Sequence, residues 1–157
     1  MKLRKATVPD IDAVVDLVTA MLQEMASYGG HALDEEARVR SVLRTRFSDS
    51  LEKEGHVFVV ATGQGEEEEL AGIVEASVVS PHAVFRPKLQ LHVHALYVQP
   101  RYRGQGIGRR LLEEALDWGM GKGCGEATLN VLSRNPAREL YEGAGFEVAH
   151  LEMRLEL

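Results

Sequence analysis

A mixed α/β domain, with one sheet of parallel and antiparallel strands flanked by helices, is the fold that the sequence predicts. Two observations lead there. Apolar residues recur at helical spacing in two segments before residue 55 and again after residue 106, while runs of β-branched and aromatic residues fill positions 57–98. Those strand-type runs follow one another with only loops between them, which favours an antiparallel meander in the middle of the sheet. The 157 residues, of which 45% are apolar and 27% charged, suit a single domain, residues 1–157, with one substantial core.

Each element has its own signal. Residues 2–5 read as a short strand. Thr7 or Asp10 caps a helix in which Ile11, Val14, Val15, Val18 and Leu22 share a face, and Tyr28-Gly29-Gly30 breaks it. A second helix runs over about residues 34–54 and groups Val39, Val42, Leu43 and Phe47. Residues 57–61 and 70–79 are strands, joined by a hairpin tip that carries a solvated acidic run at 66–69. Pro81 and Pro87 make residues 80–88 a loop, and residues 89–98 form the next strand. Ile107, Leu111, Ala115 and Trp118 mark the buried face of a helix that ends within 119–125. Residues 127–132 return to strand, and Asn135-Pro136 opens a short helix through Tyr141 that Gly143 and Gly145 close. From Phe146 the chain reads as strand again. Its apolar parity flips near Ala149-His150, from Phe146 and Val148 to Leu151, Met153, Leu155 and Leu157, so a turn or bulge there separates two final strands. The predicted order is β-α-α-β-β-β-α-β-α-β-β.

Composition narrows the function classes. A formal charge of −6 argues against nucleic acid as a partner. The longest apolar runs are too short to span a membrane, and Met1-Lys2-Leu3-Arg4-Lys5 leads into no apolar segment of secretory length. Cys124 is the one cysteine, so no internal disulfide forms; it fits a reducing compartment, and a cytoplasmic location is expected.

Against this acidic background, residues 98–112 are basic and glycine-rich. Arg101, Arg103, Arg109 and Arg110 fall here, with no acid between Gln99 and Leu112, and glycines stand at 104, 106 and 108. A strand-to-helix turn of this composition suits a phosphate-bearing ligand, because glycine lets backbone N–H groups approach and the helix start adds unpaired donors. It is not a dinucleotide fingerprint, since Arg109 stands where the third glycine belongs, nor a P-loop, since Arg109-Arg110 replaces Lys-Ser/Thr.

Arg103-Gly104-Gln105-Gly106-Ile107-Gly108 closely resembles the R/Q-x-x-G-x-G/A pyrophosphate motif of the GNAT superfamily of acyl-CoA-dependent N-acetyltransferases. Leu96-Tyr97-Val98, then Pro100 and Tyr102-Arg103-Gly104, is similar to that family's strand end and loop; Leu140-Tyr141 followed by Gly145-Phe146 is similar to its second block. The resemblance spans essentially the whole chain and is specific over residues 89–147. It implies a mostly antiparallel central sheet with splayed central strands and about four helices, acetyl-CoA as cosubstrate, and acetyl transfer to a primary amine. It implies further that backbone N–H groups of Arg103, Gly104, Gln105, Gly106, Ile107 and Gly108, with Arg109, hold the coenzyme pyrophosphate. Leu96, Tyr97 and Val98 would pair through their backbone with the pantetheine arm. Tyr141 resembles the general acid that meets the leaving thiolate, the other reading being a ring that only packs under the coenzyme. The family often carries Asn seven residues before this tyrosine; Arg134 is there, and Asn135, one place late, is either a coenzyme contact or only a helix cap.

Amine acetylation needs a neutral nitrogen, so some group must accept a proton directly or through water. His92 and His94 stand two apart on one strand and face the same way, and an unperturbed imidazole titrates near about 6.5. His94 occupies the place, four before Val98, where several relatives carry a glutamate base. Satisfied core groups or substrate-shaping groups are the alternative readings, and Glu75 on the neighbouring strand is a further candidate. Two histidines from one strand without an evident third ligand argue against a metal site. Cys124 has no histidine near it in sequence, which favours direct attack in a ternary complex over a covalent enzyme intermediate.

The resemblance places the acceptor site at about residues 21–33 and 80–88. Glu24, Asp34, Glu35 and Glu36 would draw an amine there, and Tyr28 and Phe85 would cover its apolar part. A small-molecule amine is the expected acceptor. A protein N-terminus or lysine is the alternative, and a non-catalytic acyl-CoA sensor is the reading from another class. The alternating tail at 151–157 pairs either across an edge, in a homodimer, or within its own sheet.

Overall fold

The computed structural model describes residues 1–63, 69–81 and 89–155. Strands β1 (Lys2–Lys5), β2 (His56–Thr62), β3 (Leu70–Val79) and β4 (Gln90–Val98) pair antiparallel in sequence order, and β5 (Glu126–Leu129) adds to β4 in parallel. The meander predicted for the middle of the chain is present. A parallel neighbour cannot be reached by a tight turn, and α3 (Ile107–Gly121) supplies the crossover from β4 to β5.

Helices cover both faces, so β2 and β3 are apolar on both sides. Val57, Val59, Ala61, Val74 and Ala76 look toward Ile107, Leu111, Leu112 and Ala115 of α3. A Cβ on Gly119 would stand 2.9 Å from Leu91, so glycine there lets α3 settle onto β4. On the opposite face Phe58, Val60 and Ile73 meet Val14, Val15 and Val18 of α1 (Ile11–Ser27) and Leu43 and Phe47 of α2 (Glu36–Ser50). Phe47 and Phe58 pack edge to face, 5.7 Å between centroids. The stripe of α2 follows Val39, Leu43 and Phe47 at four-residue spacing, which turns Val42 outward, 60% exposed, against the sequence expectation. α4 (Arg138–Gly143) sets Tyr141 against the α3 side of the sheet.

The register of β4 against β3 slips in mid-strand: Glu75 pairs with Ala95 and Ala76 with Val93, leaving His94 as an extra residue. The bulge inverts the alternation. Leu91 and Val93 before it and Leu96 and Val98 after it all face α3, whereas Tyr97 faces α1. Pairing between β4 and β5 stops at Val93 and Leu129, so residues 94–98 run on beyond the last β5 partner. This is the splay that the resemblance implies.

Three expectations need correction. α2 is shorter than the predicted 34–54, and β5 ends at Leu129 rather than at 132. The two final strands are absent among the described residues: Val148, Leu151, Met153 and Leu155 are 65%, 82%, 92% and 83% exposed. β5 offers an edge of only four residues, and so short a ladder repays little of the entropy lost in ordering the tail. Residues 64–68 of the hairpin tip, His82, Phe85 and Leu157 lie outside the described residues.

Asp10 ties β1 to the start of α1. Its Oδ2 accepts from the Thr7 backbone N–H at 2.7 Å and the Thr7 hydroxyl at 2.8 Å, while the Arg4 guanidinium bonds both oxygens at 2.7 and 2.9 Å. The Arg4 hydrogen bonds lead in lowering its carboxyl from 3.8 to about 2. A folded value below the unfolded one means that this stabilisation is complete above the unfolded value and lost as pH falls through about 2. Asp10→Asn should therefore cost about 2 kcal/mol at pH 7 and almost nothing near pH 2 in urea titrations, whereas an equal loss at both pH values would exclude the carboxylate charge as the cause.

Candidate active site

Beyond Val98 the chain makes one turn, Pro100–Tyr102, and enters a loop in which Gly104 and Gly106 take φ of +74° and +73°. An L side chain in this left-handed region costs roughly 1–2 kcal/mol, which explains glycine at both positions. Gly106 is also the N-cap of α3 and offers no side chain to the helix. The first backbone bond back to it comes from Arg110, at 3.1 Å, so the N–H groups of Ile107, Gly108 and Arg109 precede the helix ladder. These donors and the positive end of the helix dipole suit a phosphate group. Gly108 draws the surrounding pieces together, since a Cβ there would lie 3.4 Å from Leu140 and 3.7 Å from Val98.

The backbone of β4 has a direction. Gln99 donates to Ala71 of β3 at 2.9 Å. By strand alternation the amides of Leu96 and Val98 turn the other way, toward the side that β5 has left, while that of Tyr97 faces β3. Tyr141 is buried next to this edge and meets Phe146 edge to face at 6.0 Å. Burial pushes its phenol upward, which keeps the proton on at neutral pH.

His92 and His94 stand on the opposite face, with ring centroids 4.7 Å apart. His94 Nε2 lies 2.7 Å from the Ser77 hydroxyl, and His92 Nδ1 lies 2.9 Å from that of Thr128. His56 of β2 stacks parallel to His94, 6.5 Å between centroids. His94 is partly covered by its neighbours, and its pKa falls to about 4, through this burial first and then the neighbouring His92, Arg46 and His56. The ordinary imidazole value assumed from the sequence therefore does not hold here. His94 is neutral throughout the physiological range, with a lone pair available. Glu75 faces the same way, is 1% exposed, and has its carboxyl raised by burial while Arg46 of α2 bonds it at 2.7 Å. His56, Ser77, Thr128 and Arg46 escaped the sequence reading. The usable signal was Glu75 and Ser77, two polar residues at strand spacing inside an otherwise apolar run.

Comparison with known proteins decides the family. A profile of the Acetyltransferase (GNAT) family matches residues 17–146. The chain belongs to the GNAT family. Over 69 residues it is 42% identical to the N-alpha-acetyltransferase RimI of Mycobacterium tuberculosis, a match covering 43% of this chain and 42% of that protein. The chain spans less than half the length of the curated relatives it matches first. Its fold is that of a mutant protein from Bacillus halodurans, at a TM-score of 0.86 and 23% identity over 100% of this chain and 99% of that one. An aminoglycoside N-acetyltransferase solved in complex with CoA shares the fold at a TM-score of 0.76 and 16% identity, covering 99% and 93% of the two chains.

In this GNAT chain the side chain of Arg103 serves the scaffold. Its Nη1 and Nη2 donate to the two Glu24 oxygens at 3.0 and 2.7 Å, and its Nε donates to the Val98 carbonyl at 2.9 Å. The guanidinium also lies over Tyr97, 5.4 Å from the ring centre, and Tyr28 donates to Glu24 at 2.7 Å. Glu24 and Tyr28, read from the sequence as acceptor contacts, thus clamp the end of α1 to the glycine loop, and the charge of Glu24 is already balanced. Arg109 bonds Glu113 one turn along at 2.9 Å. Asn135 accepts from the Ala137 N–H at 2.9 Å, holding the turn that leads into α4.

Gly106→Asp should abolish coenzyme binding in calorimetry while circular dichroism stays unchanged, because the new carboxylate would stand among the phosphate donors. Gly106→Asn, which tolerates a positive φ and brings no charge, should retain measurable binding; equal losses in the two variants would point to backbone strain instead.

Proposed function

We propose that this chain transfers an acetyl group from acetyl-CoA to a primary amine, with the amine attacking directly in a ternary complex. One observation carries the reading. The phosphate-type donors and Tyr141 lie on the α3 face of the sheet, the histidines lie on the α1–α2 face, and the strands part between them after Val93 and Leu129. A coenzyme held at the glycine loop would run its arm along the Leu96 and Val98 amides and present its thioester at the gap, with the acceptor arriving from the histidine side.

The thioester supplies an activated acetyl group. A new C–N bond forms as the C–S bond breaks; the Tyr141 phenol gives its proton to the departing sulfur, and His94, directly or through water, takes one from the amine nitrogen. Cys124 follows the far end of α3, about 22 Å along the helix from the glycine loop, and burial raises its thiol, so it is unsuited to a covalent relay. We take a small-molecule amine as the acceptor; the Glu24–Arg103 ion pair bridges α1 and the glycine loop on the side where a longer chain would enter. The likeness to RimI favours a protein N-terminus as the second reading. A cytoplasmic site of action rests on the lone cysteine; no helix among the described residues is long and apolar enough to cross a membrane.

A thiol-release assay with acetyl-CoA against amines and short peptides should show turnover that depends on the acceptor. Tight coenzyme binding without turnover by any of them would favour a sensor. Tyr141→Phe should lower kcat by about 10²-fold with coenzyme affinity kept. Since His94 holds its lone pair down to about pH 4, the rate ratio of wild type to His94→Ala should widen as pH falls from 8 to 5 and free amine becomes scarce. A ratio that stays flat across this range would remove His94 from proton transfer.

A further inference from the structure

We infer that the acceptor carries an oxyanion, a carboxylate or a phosphate, beside its amine, and that Arg46 receives it. The inference rests on the transferase reading above and concerns the acceptor side alone.

Among the described residues, the sheet face around the bulge is lined by three imidazoles and by the Ser77 and Thr128 hydroxyls, with one ion pair among them. That pair is lopsided. Glu75 lies beneath, its side chain 2% exposed, whereas Arg46 above it is 41% exposed. One nitrogen of Arg46 bonds Glu75 at 2.7 Å, and the guanidinium rests on the Phe47 ring, 4.6 Å from its centre. A guanidinium has five N–H donors, so the buried carboxylate and the ring hold it in place while donors remain for a second oxyanion.

Several carboxylates of α1 and α2 are already paired, whereas Asp49, one turn beyond Arg46, is exposed. Glu24 is taken by both terminal nitrogens of Arg103. Asp12, Asp16 and Asp34 pair with Arg44, Arg40 and Arg38. Glu35 and Glu36 are exposed at the other end of α2, about 15 Å along the helix from Arg46. A spermidine-like molecule would thus meet a cation beside His94. An amine with a neighbouring oxyanion would instead anchor on Arg46 by charge-assisted bonds, fixing its nitrogen near His94.

Thiol release by the full chain with acetyl-CoA and matched acceptors tests this: L-lysine against 1,5-diaminopentane, glucosamine 6-phosphate against glucosamine, with spermidine and a short peptide alongside. The oxyanion-bearing member of at least one pair should show kcat/KM about tenfold or more above its partner, and which pair does so separates carboxylate from phosphate. The double variant Arg46→Gln/Glu75→Gln removes both charges without stranding a buried carboxylate, and should level the pair through KM while coenzyme affinity persists. Arg46→Lys should recover part of the difference. Preference for the partner that lacks the oxyanion, for spermidine or for the peptide, or a pair ratio untouched in the double variant, overturns the inference. If no acceptor is consumed, failure of both oxyanion-bearing probes to bind the CoA-loaded protein in calorimetry overturns it too. Failure of acetyl-CoA itself to bind overturns the transferase reading instead.

Discussion

The extra residue at His94 and the end of β4–β5 pairing one residue earlier set the geometry on which the rest depends. A regular strand would continue the ladder to Val98 and seal the sheet. The bulge instead turns the side chains of Leu96 and Val98 back toward α3 and leaves their amides facing an edge without β5. The glycine loop and Tyr141 thus lie on one face of the sheet and the histidines on the other, on either side of the edge where β4 and β5 part.

Pairing with arginine is the second organising theme. Glu24 and Glu75 belong to different elements, and each is met by an arginine from another: Arg103 from the glycine loop and Arg46 from α2. A buried carboxylate without such a partner is strongly destabilising, so Arg46 is tied to the fold as well as to the cleft. The clamp at Glu24 has a comparable double effect. It joins the helix end expected to border the acceptor to the loop expected to hold the coenzyme, and it removes a negative charge that the sequence had seemed to offer to an amine.

How far the sequence could be read follows from the range of the forces involved. The antiparallel meander, the α3 crossover and the glycine loop were legible because they rest on local rules: side-chain alternation, helical spacing, and the need for glycine at positive φ. His92 and His94 were correctly placed on one face for the same reason. His56 was passed over, because its membership of the site comes from a strand more than thirty residues away in sequence. The two final strands were predicted from alternation alone, which says that a segment is able to pair and nothing about whether an edge is there to receive it.

Sequence by itself determined the family resemblance, the order of elements through α4 and the backbone chemistry of residues 103–108, since these depend on a residue and its near neighbours. Tertiary structure alone decided the bulge register, the capture of Glu24 and Arg103 by each other, and the depressed basicity of His94. Each of these arises where segments distant along the chain exclude water from one another, and desolvation and charge pairing have no counterpart in an extended chain.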